Sequence, residues 1–161
     1  MAPVIIFLAM LLAGSAVHKA VSHRRMAIAA ARLVGMPSHG QLFLIIAGTL
    51  EATAALCLLA APLQRTGALL GSVIWLAYAA TLLLRRGQSF DCGCDLVARE
   101  KPIDWPAIAR PAVLALLAVI ASTLPAAPIG LDAPFAAAGL LALYLAASEL
   151  LAIPHPRWRI S

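Results

Sequence analysis

The chain has 161 residues, of which 63% are hydrophobic and only 12% are charged, whereas soluble domains carry about 25% charged residues. This composition excludes an ordinary soluble protein and indicates an all-α fold, a polytopic membrane helical bundle that forms a single domain over residues 1–161. The net charge of +5 comes from basic residues in loops and at helix ends. They therefore report membrane topology, and no nucleic-acid partner is expected.

Five segments are apolar enough to cross a lipid bilayer, which takes about 20 residues. They cover residues 3–17 (extending towards 21), 41–61, 67–84, 111–124 (starting near Trp105) and 133–153. No basic residue precedes the first segment, so we interpret it as a retained anchor rather than a signal peptide. If it does not span, four helices remain. Short loops predict that the second and third spans, and the fourth and fifth, pack as antiparallel neighbours.

Residues 22–35 allow two interpretations. Arg24, Arg25 and Arg32 alternate there with apolar residues. This pattern is compatible with an amphipathic helix at the membrane interface, and also with an extension of the first span.

The distribution of basic residues predicts the orientation. With five spans, ten basic residues lie in the first loop, the third loop and the C-terminal tail, against Arg65 alone on the opposite side. The positive-inside rule then places the N-terminus outside and the third loop in the cytoplasm.

That third loop contains Phe90-Asp91-Cys92-Gly93-Cys94-Asp95, with two of the three cysteines one residue apart. Thiols two positions apart on a glycine hinge can exchange with a disulfide. They can also bind a soft metal such as Cu(I), although two thiolates are too few for a closed zinc site. A chance pair without a role is the third reading. We predict Cys92 and Cys94 as the catalytic residues, with no metal and no cofactor.

Glu51 lies near the middle of the second span, where a charged side chain costs at least ~2.5 kcal/mol. It is therefore expected to face the bundle and to contact a polar group of another helix. The candidate partners are His18, Lys19 and Arg110. A structural ion pair and a proton-handling role are both compatible with this position. Cys57 is expected to act as a small hydrophobe.

In this order, the features resemble a known family. His18-Lys19 ends the first helix, Gly48-Thr49-Leu50-Glu51 lies in the second, Arg86-Gly87 precedes Cys92-Gly93-Cys94, and Arg110 leads into the next helix. The pattern is similar to that of the methylamine utilisation MauE proteins, within the wider MauE/DoxX-type membrane family. Asp95-Leu96 stands where family members often have Phe-Gly. This difference concerns the identity of the client enzyme more than the class of membrane protein.

The resemblance implies an accessory protein of the bacterial inner membrane that supports maturation of an exported, disulfide-containing enzyme such as methylamine dehydrogenase. A thioredoxin-like, MauD-type partner is implied, with the lipid bilayer as surroundings. We expect thiol–disulfide exchange through Cys92 and Cys94, with Glu51, Arg110, Lys19 and His18 in support. The alternatives are a soft-metal binding or transport protein and a non-catalytic membrane scaffold. Oxidative maturation outside the membrane conflicts with a cytoplasmic cysteine loop, unless electrons cross the membrane or the loop folds back between the helices.

Overall fold

A computed structural model of the chain describes residues 2–86, 89–90, 101–102, 105–125 and 130–152. Helices dominate these residues, which confirms the expected all-α class. In chain order they are α1 (Ala2–Val21), α2 (His23–Val34), α3 (Gly40–Leu59), α4 (Gln64–Leu84), α5 (Trp105–Thr123) and α6 (Ala133–Ala152). Single 3₁₀ turns, Pro37–His39 and Ala61–Leu63, lead into α3 and α4.

Five of these helices are long and apolar enough to cross a membrane, as judged by length and composition: α1, α3, α4 with its preceding turn, α5 and α6. Many large hydrophobic side chains on their outer faces stay exposed, among them Leu56, Val73, Val113 and Leu143. Such faces suit a lipid environment, because lipid tails are as apolar as the side chains. The chain is therefore a multi-pass membrane protein.

The basic segment after α1 is a helix of its own. A one-residue turn at Ser22 separates α2 from α1, and α2 packs along α3. Gly35 ends α2 with φ 79°, and the N–H groups of Gly35 and Met36 both donate to the carbonyl of Ala31. This left-handed ending suits glycine, which has no Cβ to clash. The three arginines of α2 lie on its exposed surface.

Helix α1 lies at the centre of the bundle. It packs against α3 and α6, while α4 packs against α3 and α5. Leu8 and Leu12 of α1 and Leu58 of α3 are completely or almost completely buried. The α3–α4 pair is confirmed as neighbours, and Gly67 lies so close to the α3 backbone that a Cβ there would come 2.5 Å from the nitrogen of Leu58.

The expectation that the fourth and fifth spans pack together is wrong. Among the described residues, α6 packs mainly on α1, and its Ala133 and Ala137 are buried in the same core as the α1 side chains. The short loop between the fourth and fifth spans limits the distance between the two helix ends, but it does not determine which helix α6 packs against. The buried Ala133 and Ala137 allow α6 to lie close to α1, because small residues at an interface let two helices approach each other.

Candidate functional site: an ion pair buried between three helices

A carboxylate and an ammonium group meet inside the bundle. The Nζ of Lys19 on α1 lies 2.8 Å from Oε1 and 2.9 Å from Oε2 of Glu51 on α3. The Glu51 side chain is 1% exposed and that of Lys19 is 12% exposed. Because an unpaired charge is costly inside a membrane, the pair explains how both groups are accommodated. It confirms that Glu51 faces the bundle and selects Lys19 from the expected partners.

Two hydroxyl groups complete the cluster. Tyr78 on α4 donates to Oε1 of Glu51 at 2.6 Å, and the hydroxyl of Ser15 donates to the same oxygen at 3.1 Å. Lys19 also donates to the oxygen of Ser15 at 2.6 Å, and its Nζ lies 5.4 Å from the centroid of the Tyr78 ring. Ser15, Lys19, Glu51 and Tyr78 are called the charge cluster below. They connect α1, α3 and α4.

The spacing of these residues explains the local geometry. Ser15 and Lys19 are four positions apart on α1, so both lie on one helix face. A helical side chain points back towards the N-terminus, which brings the Lys19 ammonium towards Ser15. Sequence reasoning identified neither Ser15 nor Tyr78 as a partner of Glu51. The available signal was the hydroxyl of Tyr78, since a tyrosine buried in an apolar helix usually has a hydrogen-bond partner.

The other two expected partners of Glu51 lie elsewhere. The Nη2 group of Arg110 donates to the carbonyl oxygen of Ser148 on α6 at 2.8 Å. The Nε2 atom of His18 is buried and has no hydrogen-bond partner among the residues that the structure describes. Neither residue is among the hydrogen-bond partners of Glu51 given above, so adjacency to Lys19 in the sequence does not bring His18 into the cluster.

Cys92 and Cys94 lie outside the described residues, but the ends of their loop are described. Strand β1 (Ser89–Phe90) pairs antiparallel with β2 (Lys101–Pro102). Outside this pair, the Arg86 guanidinium after α4 lies 4.3 Å from the centroid of the Trp105 ring at the start of α5, a cation–π contact. The two contacts bring together the two ends of the segment that contains both cysteines.

The third cysteine, Cys57, is a free thiol, half-buried on α3. Within the described ranges, no group of three or more His, Cys, Asp or Glu side chains is arranged to hold a metal ion. The described residues therefore show two features. The first is the charge cluster inside the bundle, and the second is the pair of contacts that joins the two ends of the cysteine loop.

Helices, exposed apolar faces and a buried ion pair define the class: a polytopic helical membrane protein with a polar cluster between its first three spans. The model of the family "Methylamine utilisation protein MauE" matches residues 1–124, and the chain belongs to this family. A curated relative, the methylamine utilization protein MauE of Paracoccus denitrificans, is 36% identical over an alignment of 117 residues, and the alignment covers 66% of this chain and 62% of the relative. The chain thus spans less than two thirds of that relative's length. No solved structure matches the chain.

Proposed function

We propose that this protein is a thiol–disulfide exchange accessory of the bacterial inner membrane, acting through Cys92 and Cys94. The observation that carries the proposal is the Cys92-Gly93-Cys94 sequence between two paired chain ends in a member of the MauE family. The relative from Paracoccus denitrificans is named for methylamine utilisation. By analogy, the client is an exported enzyme of that process which needs disulfide bonds, such as methylamine dehydrogenase.

The exchange needs a thiol–disulfide partner, for which a thioredoxin-like, MauD-type protein fits. One thiolate attacks the partner's disulfide and forms a mixed disulfide, and the second thiolate then attacks the sulfur of its neighbour. Two S–H bonds are lost here and two form on the partner, so two electrons and two protons are transferred. The reverse direction uses the same steps.

The charge cluster has a supporting role in this proposal. It ties α1 and α3 to α4, the helix that leads into the cysteine loop. A buried ion pair is stable only when its hydrogen bonds are complete, and Ser15 and Tyr78 complete them here. The cluster therefore holds α4 in place, and the cysteine loop extends from the end of α4. Lys19 and Glu51 therefore support the site, and Arg110 supports it by joining α5 to α6. The supporting role of His18 is proposed only because His18 is adjacent to Lys19 in the sequence.

The decisive experiment compares serine variants in cells that depend on the exported client. Cys92→Ser with Cys94→Ser is expected to abolish client maturation while leaving membrane insertion unchanged. Cys57→Ser is the matched control and is expected to behave as the natural protein. Each single variant, Cys92→Ser or Cys94→Ser, is expected to trap a mixed disulfide with a thioredoxin-like protein. Full client maturation by the double variant would instead favour a non-catalytic scaffold.

A further inference from the structure

A groove of about 540 Å³ lies between α2 and the beginning of α3. The small side chains of Ala27 and Ala31 line it together with the polar side chains of Arg32 and Gln41. The two helices are in close contact here, because a Cβ on Gly40 would collide with the carbonyl oxygen of Ala27. Both polar side chains are exposed. The groove is therefore open to the surroundings and has a closely packed wall.

The groove contains hydrogen-bond donors that the protein itself does not use. Neither the guanidinium of Arg32 nor the amide of Gln41 has a hydrogen-bond or ion-pair partner among the residues that the structure describes. Residues 1–50 include no acidic residue, and the first one, Glu51, is already paired with Lys19. A guanidinium offers five N–H donors in a fork that matches the oxygens of a phosphate. The groove therefore favours an anion of the phosphate type.

The groove lies at the end of a membrane span. Gly40 and Gln41 are the first two residues of α3, which is long and apolar enough to cross a membrane. One turn further along α3, Ile45 is 54% exposed, and it shares a helix face with Gln41 because the two are four positions apart. On α2, Ile28 is 58% exposed and lies four positions from Arg32. Each polar group of the groove therefore has an exposed apolar neighbour on its own helix, as a phospholipid headgroup with its chains requires.

Further basic residues lie at the same end of the bundle. Arg24 and Arg25 are exposed on α2. Arg85 follows α4, and its Nε donates to the carbonyl oxygen of Leu33 at 3.3 Å, which places the end of α4 beside the end of α2. The positive-inside rule predicts that this end faces the cytoplasm, where the leaflet carries anionic lipids. The charge near the groove thus attracts an anionic headgroup.

We propose that this groove binds an anionic phospholipid. The phosphate lies between the guanidinium of Arg32 and the amide of Gln41, and the chains run along Ile28 and Ile45. The bound lipid holds α2 in the membrane interface, beside the end of α4 from which the cysteine loop extends. The site is separate from the charge cluster and does not depend on thiol–disulfide exchange, so the two proposals stand or fall separately.

Binding is tested by native mass spectrometry of the full chain in detergent, titrated with dioleoyl phosphatidylglycerol. Arg32→Gln is expected to weaken binding about fivefold, which corresponds to about 1 kcal/mol for one basic residue beside an anionic lipid surface. Arg65→Gln is the matched control, because Arg65 is an exposed arginine at the beginning of α4 and does not line the groove. Its affinity should stay within about twofold, as expected of a surface change away from the site. Equal affinities of the two variants would overturn the proposal.

Two further variants separate binding in the groove from diffuse attraction to a basic helix. Arg24→Gln removes the same charge from α2, but Arg24 does not line the groove, so the loss of affinity should be smaller than for Arg32→Gln. Gln41→Glu places a carboxylate beside Arg32 and should weaken binding at least about tenfold, since juxtaposed like charges cost several kcal/mol. Equal losses for the two arginine variants, or full affinity of Gln41→Glu, would contradict a site in the groove.

Competing ligands identify the source of the phosphate. Dioleoyl phosphatidylcholine has the same chains but no net charge, and it is expected to bind at least about fivefold more weakly. Inorganic phosphate and a hexaglutamate peptide lack lipid chains, so neither should displace phosphatidylglycerol at equal concentration. Equal binding of the two lipids would reduce the groove to a site for any phospholipid. Displacement by phosphate or by the peptide would instead assign it to a soluble anion or to an acidic protein segment, and each of these results overturns the proposal.

Discussion

The centre of the bundle and its loop end hold their charged groups in different ways. At the centre, Glu51 is 1% exposed and accepts hydrogen bonds from Ser15, Lys19 and Tyr78. At the loop end, the exposed Arg86 lies on the face of Trp105. A charge inside an apolar bundle needs a complete set of partners, whereas an exposed cation keeps its hydration. Replacements should therefore have large effects on stability at the centre and small ones at the loop end.

The largest effect is expected for Glu51→Leu. It leaves the Lys19 ammonium buried without its carboxylate, and breaking a buried pair costs about 3–5 kcal/mol. Glu51→Gln should cost less, because its amide can still bond to Ser15 and Tyr78. The free energy of unfolding, measured by denaturant titration in detergent micelles, checks both. The double variant Glu51→Leu, Lys19→Met should recover much of the loss. A single Glu51→Leu variant as stable as the natural protein would show that the pair does not matter.

A smaller loss is expected for Tyr78→Phe. The change removes only the hydroxyl that donates to Glu51, and a hydrogen bond to a charged group contributes about 1.5–3 kcal/mol. The same substitution made in a Glu51→Gln background should cost less, since the acceptor is then uncharged. The two unfolding measurements form a double-mutant cycle. A coupling of zero between the two positions would argue against the hydrogen bond.

At the loop end, Trp105→Ala should cost only about 0.5–1 kcal/mol, the usual contribution of an exposed cation–π contact. Arg86→Leu is the partner variant, and adding it to Trp105→Ala should cause little further loss. Hydrogen exchange of the amides at Ser89 and Phe90 measures whether the strand pair opens more often. Unchanged exchange in Trp105→Ala would mean that the β1–β2 pair holds the loop ends by itself.

The smallest effect on stability is expected for the cysteines. Cys92→Ser with Cys94→Ser should change the free energy of unfolding by less than about 0.5 kcal/mol, because both cysteines belong to the polar segment between α4 and α5 and changes outside a packed core usually have effects of this size. In the oxidised natural protein, maleimide should label neither residue of the pair. After mild reduction it should label both, with Cys57 reacting more slowly because it is half-buried on α3. Labelling of Cys92 and Cys94 before any reduction would contradict a disulfide between them.

The sequence alone determined the class of this protein and most of its helix positions. Long apolar segments leave few other options, since backbone polar groups inside lipid must bond within the segment. The bounds differ by a few residues at the ends: α3 ends at Leu59 rather than at residue 61, and α4 begins at Gln64 rather than at residue 67. The expected extension of the first span towards residue 21 is confirmed, since α1 ends at Val21. The cost of an intramembrane carboxylate also fixed that Glu51 faces inwards. The orientation in the membrane and the roles of Cys92 and Cys94 remain predictions.

Tertiary structure decided which residues meet. From the sequence, His18, Lys19 and Arg110 were equal candidates for Glu51, because each is a nitrogen base near a helix end. Only the packing of α1 on α3 and of α3 on α4 selected Lys19 and added Ser15 and Tyr78. In the same way, α6 packs on α1 rather than on α5. Helical periodicity states which residues share a face, but the fit of side chains between helices decides which faces come together.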